Sequence, residues 1–183
     1  YSMLRIADIK EKDIILDPFC KSGEIPIEAT LYLQNIPPNK NYINKMLFTK
    51  LINYKPKTKT KNKKLKIHAT DESQNNLRYA QINAKIVNVN INFTKHNTEW
   101  LDTKFKENSI NKIITFPPYP TNNNPIEKIY KEFFHQAEFI LNPKGSITIL
   151  TPVPELIKKH TKFKIKEEFR VMYIKQPFYI LKF

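Results

Sequence analysis

The chain has 183 residues, 40% of them hydrophobic and 26% charged, with a formal net charge of +14. That length fits one domain, residues 1–183, large enough to bury a substantial core, and the balance excludes a disordered polar chain. No apolar run reaches the roughly 20 residues of a membrane helix, the lone Cys20 excludes an internal disulfide, and the four histidines lack metal-ligand spacing.

A single cysteine fits a reducing compartment, so a cytoplasmic protein is expected, with no membrane or metal partner. No secretory leader is visible, and because the first residue is Tyr1, further sequence is expected upstream. The positive charge favours a polyanionic partner, RNA or DNA, through phosphate contacts and counterion release. A compositional origin competes with that reading: the chain is rich in Lys, Asn and Ile and has two glycines, as an AT-biased genome would produce.

In chain order, SMLRIADI (2–9) carries apolar residues at helical spacing, and DIILD (13–17) reads as a buried strand ending in an acid. After the turn PFCKSG, residues 24–35 suit a well-buried helix, with Pro26 tolerated in its first turn. YINKMLFTKLI (42–52) reads as a short helix, and KPKTKTKNKKLK (55–66) as a charge-dense loop, either solvated or in contact with a phosphate backbone. LKIHATD (65–71) is a second strand ending in an acid. Residues 72–90 place Leu77, Ala80, Ala84 and Val87 on one helical stripe. INFTKHN (91–97) and NKIITF (111–116) read as strands, with Trp100 between them expected in the core. Residues 126–141 form an amphipathic helix with Ile126, Ile129, Tyr130, Phe133, Phe134 and Ala137 inward. NPKG is expected to turn the chain, with Gly145 as its permissive residue, into the strand SITILT (146–151). Residues 163–183 read as two strands around a turn near Lys175–Pro177.

Helices and strands that alternate in this way imply an α/β fold with a mostly parallel sheet, helices on both faces and a closing antiparallel hairpin. Ligands of such sheets bind at the carboxyl ends of the strands. Asp17, Asp71, Asn97 and the corner Phe116–Tyr119 fall there, around one crevice. The corner FPPYP is unusual: two prolines remove backbone donors, lock the chain extended and present an aromatic ring at the rim. In LDPFCKSGEIPIEA (16–29), a strand-end carboxylate, a turn through Gly23 and a helix N-terminus make a cradle for a ligand. Asp71 has the position of a ribose-binding acid, although it also suits the cap of the following helix. Asn97 could meet an adenine edge.

Together DPFCKSG, ATDES, HNTEW and FPPYP resemble the motifs of class I S-adenosylmethionine-dependent methyltransferases, and more narrowly the RNA guanine amino-group methyltransferases that carry an N-terminal THUMP domain. The resemblance covers nearly the whole chain, and residues 17–29 follow the family's first motif, DPFCGSGTIPIEAA, closely. It implies a Rossmann-like class I methyltransferase fold with a seven-stranded sheet. By the same resemblance Asp17, Phe19, Cys20, Ser22 and Gly23 lie along the methionine part of S-adenosyl-L-methionine. Asp71 and Glu72 lie at its ribose and Asn97 at its adenine. Phe116, Pro117, Pro118 and Tyr119 map onto the corner that holds a target amino group and stacks on the flipped base. The implied activity is methylation of an exocyclic base nitrogen, guanine in tRNA above others.

Three positions depart from the family pattern. Lys21 stands where a glycine lets the backbone approach the cofactor, Asn97 replaces an aspartate, and Phe116 replaces the Asn or Asp before Pro-Pro-Tyr. Losing a preorganised polar contact at a reacting centre costs about 10²–10³ in rate. A catalytically degenerate RNA- or partner-binding module, and a DNA amino-methyltransferase, are therefore the alternatives.

Overall fold

The computed structural model describes residues 1–37, 47, 51, 64–120, 126–173 and 175–183. The helix expected over 42–52, apart from Leu47 and Leu51, and most of the lysine-rich segment 55–66 lie outside the described residues. The elements run α1 (Ser2–Ala7), β1 (Ile14–Asp17), α2 (Glu24–Leu33), β2 (Lys66–Asp71), α3 (Gln74–Ile86), β3 (Asn92–Lys95), a 3₁₀ turn (Thr98–Trp100), α4 (Leu101–Lys104), β4 (Ile110–Thr115), α5 (Ile126–Ile140), β5 (Leu141–Thr151), α6 (Pro154–Lys159), β6 (Glu167–Tyr173) and β7 (Gln176–Lys182).

The described strands form one seven-stranded sheet in the order β3-β2-β1-β4-β5-β7-β6. Strands β3 to β5 are parallel, whereas β7 runs antiparallel between β5 and β6. The sheet carries helices on both faces because its inner strands are apolar in both directions. Leu16, Ile113, Ile147 and Leu181 share one cluster with Phe133, Phe134, Ala137 and Ile140 of α5. Their strand neighbours Ile15, Ile114 and Ile180 point the other way and pack with Met3, Leu4 and Ala7 of α1 and Ala29 and Leu33 of α2. A period of two along each strand and burial on both sides account for the continuous apolar runs. Truncating a fully buried ring such as Phe134 in this core costs about 3–5 kcal/mol.

Between β1 and β4 the chain reverses its direction of travel across the sheet, which opens a crevice at the strands' carboxyl ends. The turn after β1 is fastened there: the Cys20 amide donates to the Thr70 carbonyl at 3.0 Å and the Gly23 amide to the Cys20 carbonyl at 2.7 Å. Gly23 caps α2 with φ 87, and a Cβ on it would sit 3.0 Å from Ala80 Cβ, so both backbone and packing exclude a side chain.

Four local expectations are corrected. NPKG does not precede the strand: β5 begins at Leu141, and NPKG is an irregularity within it, between Leu141, which pairs with Ile110, and Ser146, which pairs with Lys112 on β4. Gly145 is required there by space, because a Cβ would lie 2.8 Å from the Asn142 carbonyl oxygen and 2.7 Å from Leu141 Cδ1. Trp100 is 58% exposed, since the 3₁₀ turn rotates it outward and buries Thr98 instead. Val87 caps the end of α3 and is exposed. Pro177 lies inside β7 opposite Met172, and the hairpin turn contains Lys175 at φ 62.

Candidate functional site

A cleft of about 380 Å³ opens at the carboxyl ends of β1 and β2. Pro18, Phe19 and Lys21 come from the turn after β1, and Asp71, Glu72 and Asn76 from the junction of β2 and α3. Asn97, Thr98 and Glu99 come from the segment after β3, and Pro118, Ile129 and Glu132 close the far wall. Four carboxylates and one ammonium thus face this space in a chain of net charge +14. Glu99 shares its charge with Lys128, 3.1 Å away.

The two strand-end acids differ in role. Asp17 is 2% exposed and does not line the cleft; its Oδ1 accepts the Thr115 hydroxyl at 2.6 Å and the Phe19 amide at 3.2 Å. Burial outweighs those bonds and the nearby Lys21 and raises its carboxyl from 3.8 to about 7. Asp71 reaches the cleft but is mostly committed within the protein. Its Oδ1 accepts from the Ser73 amide (3.0 Å) and Asn76 Nδ2 (2.9 Å), and its Oδ2 from the Lys21 amide (2.9 Å). A carboxylate offers about four acceptor positions, so one remains on Oδ2. The exposed Glu72 beside it also lines the cleft.

Cys20, Ser22 and Gly23 lie behind the lining and shape the turn. Burial pushes the Cys20 thiol far above its usual range, so it stays protonated. Ser22 bonds Glu24 through its hydroxyl and accepts Asn83 Nδ2 at its carbonyl, 3.0 Å away, which ties the turn to α3. Asn97 is exposed in the lining, and its Oδ1 accepts the Glu99 amide at 3.0 Å.

At the corner, Pro117 is buried and Pro118 reaches the cleft wall. Phe116 and Tyr119 stack at 5.9 Å with an interplanar angle of 14°, and Phe178 of β7 meets both edge-on. The two departures noted in the sequence touch each other: Lys21 Nζ lies 3.8 Å from the Phe116 ring centroid. Lys21 holds φ 48, fixed by the bond from its amide to Asp71. Burial lowers its pKa, against the raising influence of Asp17, Glu24 and Asp71.

Sequence reasoning missed Thr115, Asn76 and the hydroxyl of Tyr130, which donates to the Pro118 carbonyl at 2.7 Å. A tyrosine on the apolar stripe of α5 was the available signal, because a buried hydroxyl needs a partner. Among the described residues no helix is long and apolar enough to cross a membrane, and no group of three or more His, Cys, Asp or Glu could hold a metal ion.

This strand order, with its antiparallel β7 and its cleft beside a Pro-Pro-Tyr corner, is that of a class I methyltransferase fold. The model of the UPF0020 family, RMKL-like methyltransferase domain, matches residues 1–177, and the chain belongs to that family. It is 34% identical over 188 residues to the tRNA (guanine(6)-N2)-methyltransferase of Methanocaldococcus jannaschii, covering 94% of this chain and 49% of that protein. To the enzyme of the same name from Archaeoglobus fulgidus it is 31% identical over 152 residues, 81% of this chain and 37% of that one. TrmN from Thermus thermophilus shares its fold, with a TM-score of 0.75 at 22% identity over 99% of this chain and 46% of that one. The chain therefore spans half or less of the length of the curated relatives it matches.

Proposed function

We propose that this chain is the catalytic unit of an RNA methyltransferase that uses S-adenosyl-L-methionine to methylate the exocyclic amino nitrogen of guanine in tRNA. The observation that carries the reading is that one cleft has the strand-end Asp71 and its neighbour Glu72 on one wall and Pro118 of the corner on the other. A donor and an acceptor held on those walls would be neighbours. The donor set suits the cofactor: carboxylates for ribose hydroxyls and an amino group, a side-chain amide for an adenine edge, and an acidic lining for a cation. The identity with two proteins named as tRNA guanine methyltransferases supports the substrate, and weighs against DNA.

When bound, S-adenosyl-L-methionine supplies a methyl group on a sulfonium. The residues of the chain contribute position. Asp71 and Glu72 would hold its hydroxyls, and the Asp71 bond to the Lys21 amide fixes the turn beside the cleft. Tyr119, 42% exposed, offers its ring to an unstacked base, and Tyr130 anchors the corner through Pro118. Alignment of reactants in a closed site is worth several kcal/mol. A strong base is unnecessary, because the amino proton leaves after its nitrogen becomes cationic.

The test is tritium transfer from labelled cofactor to unmodified total tRNA, followed by nucleoside analysis. N2-methylguanosine as the labelled product is expected; label in another nucleoside would overturn the substrate assignment. The second reading, a non-catalytic RNA-binding module, is favoured by one observation: Lys21 and Phe116 fill the ground before the corner with an ammonium on an aromatic face. Binding of cofactor and tRNA without transfer would favour that reading.

A further inference from the structure

The ammonium of Lys21 stands at the junction of the two walls. Lys21 lines the cleft, and its Nζ lies 3.8 Å from the ring of Phe116, the first residue of the corner. Its backbone cannot easily move away: the left-handed φ of 48 and the Asp71 bond to its amide set where the side chain leaves the turn. Among the described residues the ammonium forms no ion pair, and its close contact is the ring. Asp17, Glu24 and Asp71 are near enough to act on the ammonium, yet none of them forms an ion pair with it. Asp71 spends three acceptor positions on protein donors, and Glu99 is paired with Lys128.

We propose that Lys21 makes the corner end of this cleft selective by charge, favouring a neutral thioether ligand over a sulfonium one. The inference rests on the cofactor reading above. A ligand that delivers a group from the cleft to the corner must bring its reactive sulfur up to the Lys21 ammonium. Two cations a few ångström apart in a half-buried site repel, and the repulsion is large at the effective dielectric of a protein surface. The neutral sulfur of S-adenosylhomocysteine carries no such penalty, while the adenosine and amino-acid parts of the two ligands are the same. Selectivity therefore appears as a ratio of affinities, which cancels everything the ligands share. Phe116 takes part by holding the ammonium in place: a cation over a ring face is attracted by the ring's quadrupole.

Titration calorimetry with S-adenosylmethionine and S-adenosylhomocysteine tests the proposal on the wild type, Lys21→Met and Phe116→Leu. Met keeps the length of the stem and removes the charge. The wild type is expected to bind the thioether about tenfold or more tighter than the sulfonium. Lys21→Met should cut that ratio at least severalfold, chiefly by gaining affinity for the sulfonium, and Phe116→Leu should shift it partway. Thermal melting of each variant with S-adenosylhomocysteine checks that the fold and the shared subsites persist. A ratio near one in the wild type, or a ratio unchanged by Lys21→Met, would overturn the proposal while leaving the cofactor reading intact. Failure of all three proteins to bind either ligand would remove the cofactor reading and this inference with it.

Discussion

The Tyr130 hydroxyl, buried in the middle of α5, donates to the carbonyl of Pro118 at 2.7 Å and so fastens a helix of the core to the rim of the cleft. Burial pushes its phenol up to about 12, so it remains a donor at any working pH. The bond spans 12 residues of sequence and fixes a corner whose prolines have no amides to hold it. Tyr130→Phe should lower stability by about 1 kcal/mol in urea unfolding, the net worth of one hydrogen bond at a half-buried carbonyl. Single-turnover methylation should fall further than the loss of folded protein explains. An unchanged rate in the folded variant would mean that the corner is held by other contacts.

Asp17 makes stability fall as pH rises. Its folded carboxyl titrates near 7, above the unfolded 3.8, so the folded state binds the extra proton. The resulting stability is fully present below about pH 4 and is lost as pH rises through 7. Asp17→Asn keeps an acceptor for Thr115 and Phe19 without a charge. It should match the wild type near pH 4 and exceed it at pH 8 by an amount on the order of a few kcal/mol. Urea midpoints at the two pH values read this directly, and a variant weaker at pH 8 would show that the ionised form is the one the fold needs.

Asp71 and Glu72 are adjacent, yet their substitutions should separate. Asp71→Ala removes the acceptor of three protein donors, so a loss of about 3 kcal/mol or more of stability should accompany any loss of binding. Glu72→Ala touches an exposed side chain in the cleft and should leave the melting temperature unchanged. It should weaken S-adenosylmethionine by about 1–3 kcal/mol if it holds a ribose hydroxyl. Calorimetry paired with thermal melting distinguishes the two, and equal binding by Glu72→Ala would take that residue out of the site.

Phe116→Asn gives the corner the acceptor it lacks, but the new oxygen would face the Lys21 ammonium, now 3.8 Å from the ring. The single substitution should therefore gain little. In a Lys21→Gly background the same change should raise single-turnover transfer by about tenfold or more, one recovered transition-state hydrogen bond. The two substitutions are thus expected to be non-additive. Additive effects in the double-mutant cycle would mean that Lys21 and Phe116 act separately.

Much of the sheet was legible because its strands obey simple rules. IILD and KIHATD are short apolar runs ending in acids, and the stripe on α5 repeats at helical spacing. Strand-end acids were also legible as an address. What those acids do was not, since Asp17 finds Thr115 at a separation of 98 residues and Asp71 finds the Lys21 amide at 50. Lys21 and Phe116 were each conspicuous in the sequence, but their contact exists only once β1 and β4 are neighbours. Trp100 was misjudged because large apolar rings are usually buried, whereas a single 3₁₀ turn chose Thr98 for the interior. NPKG misled for a related reason: it has the composition of a turn, but it lies inside β5 as an irregularity between the paired residues Leu141 and Ser146.

The acidic lining has a further effect in a chain with so much surplus positive charge. The net charge of +14 attracts a polyphosphate to the chain, yet Asp71, Glu72, Glu99 and Glu132 line the cleft. An acidic lining of this kind disfavours phosphodiesters at the small-ligand cleft. On the proposed function, the backbone of a bound RNA would thus be kept out of the berth of the smaller ligand.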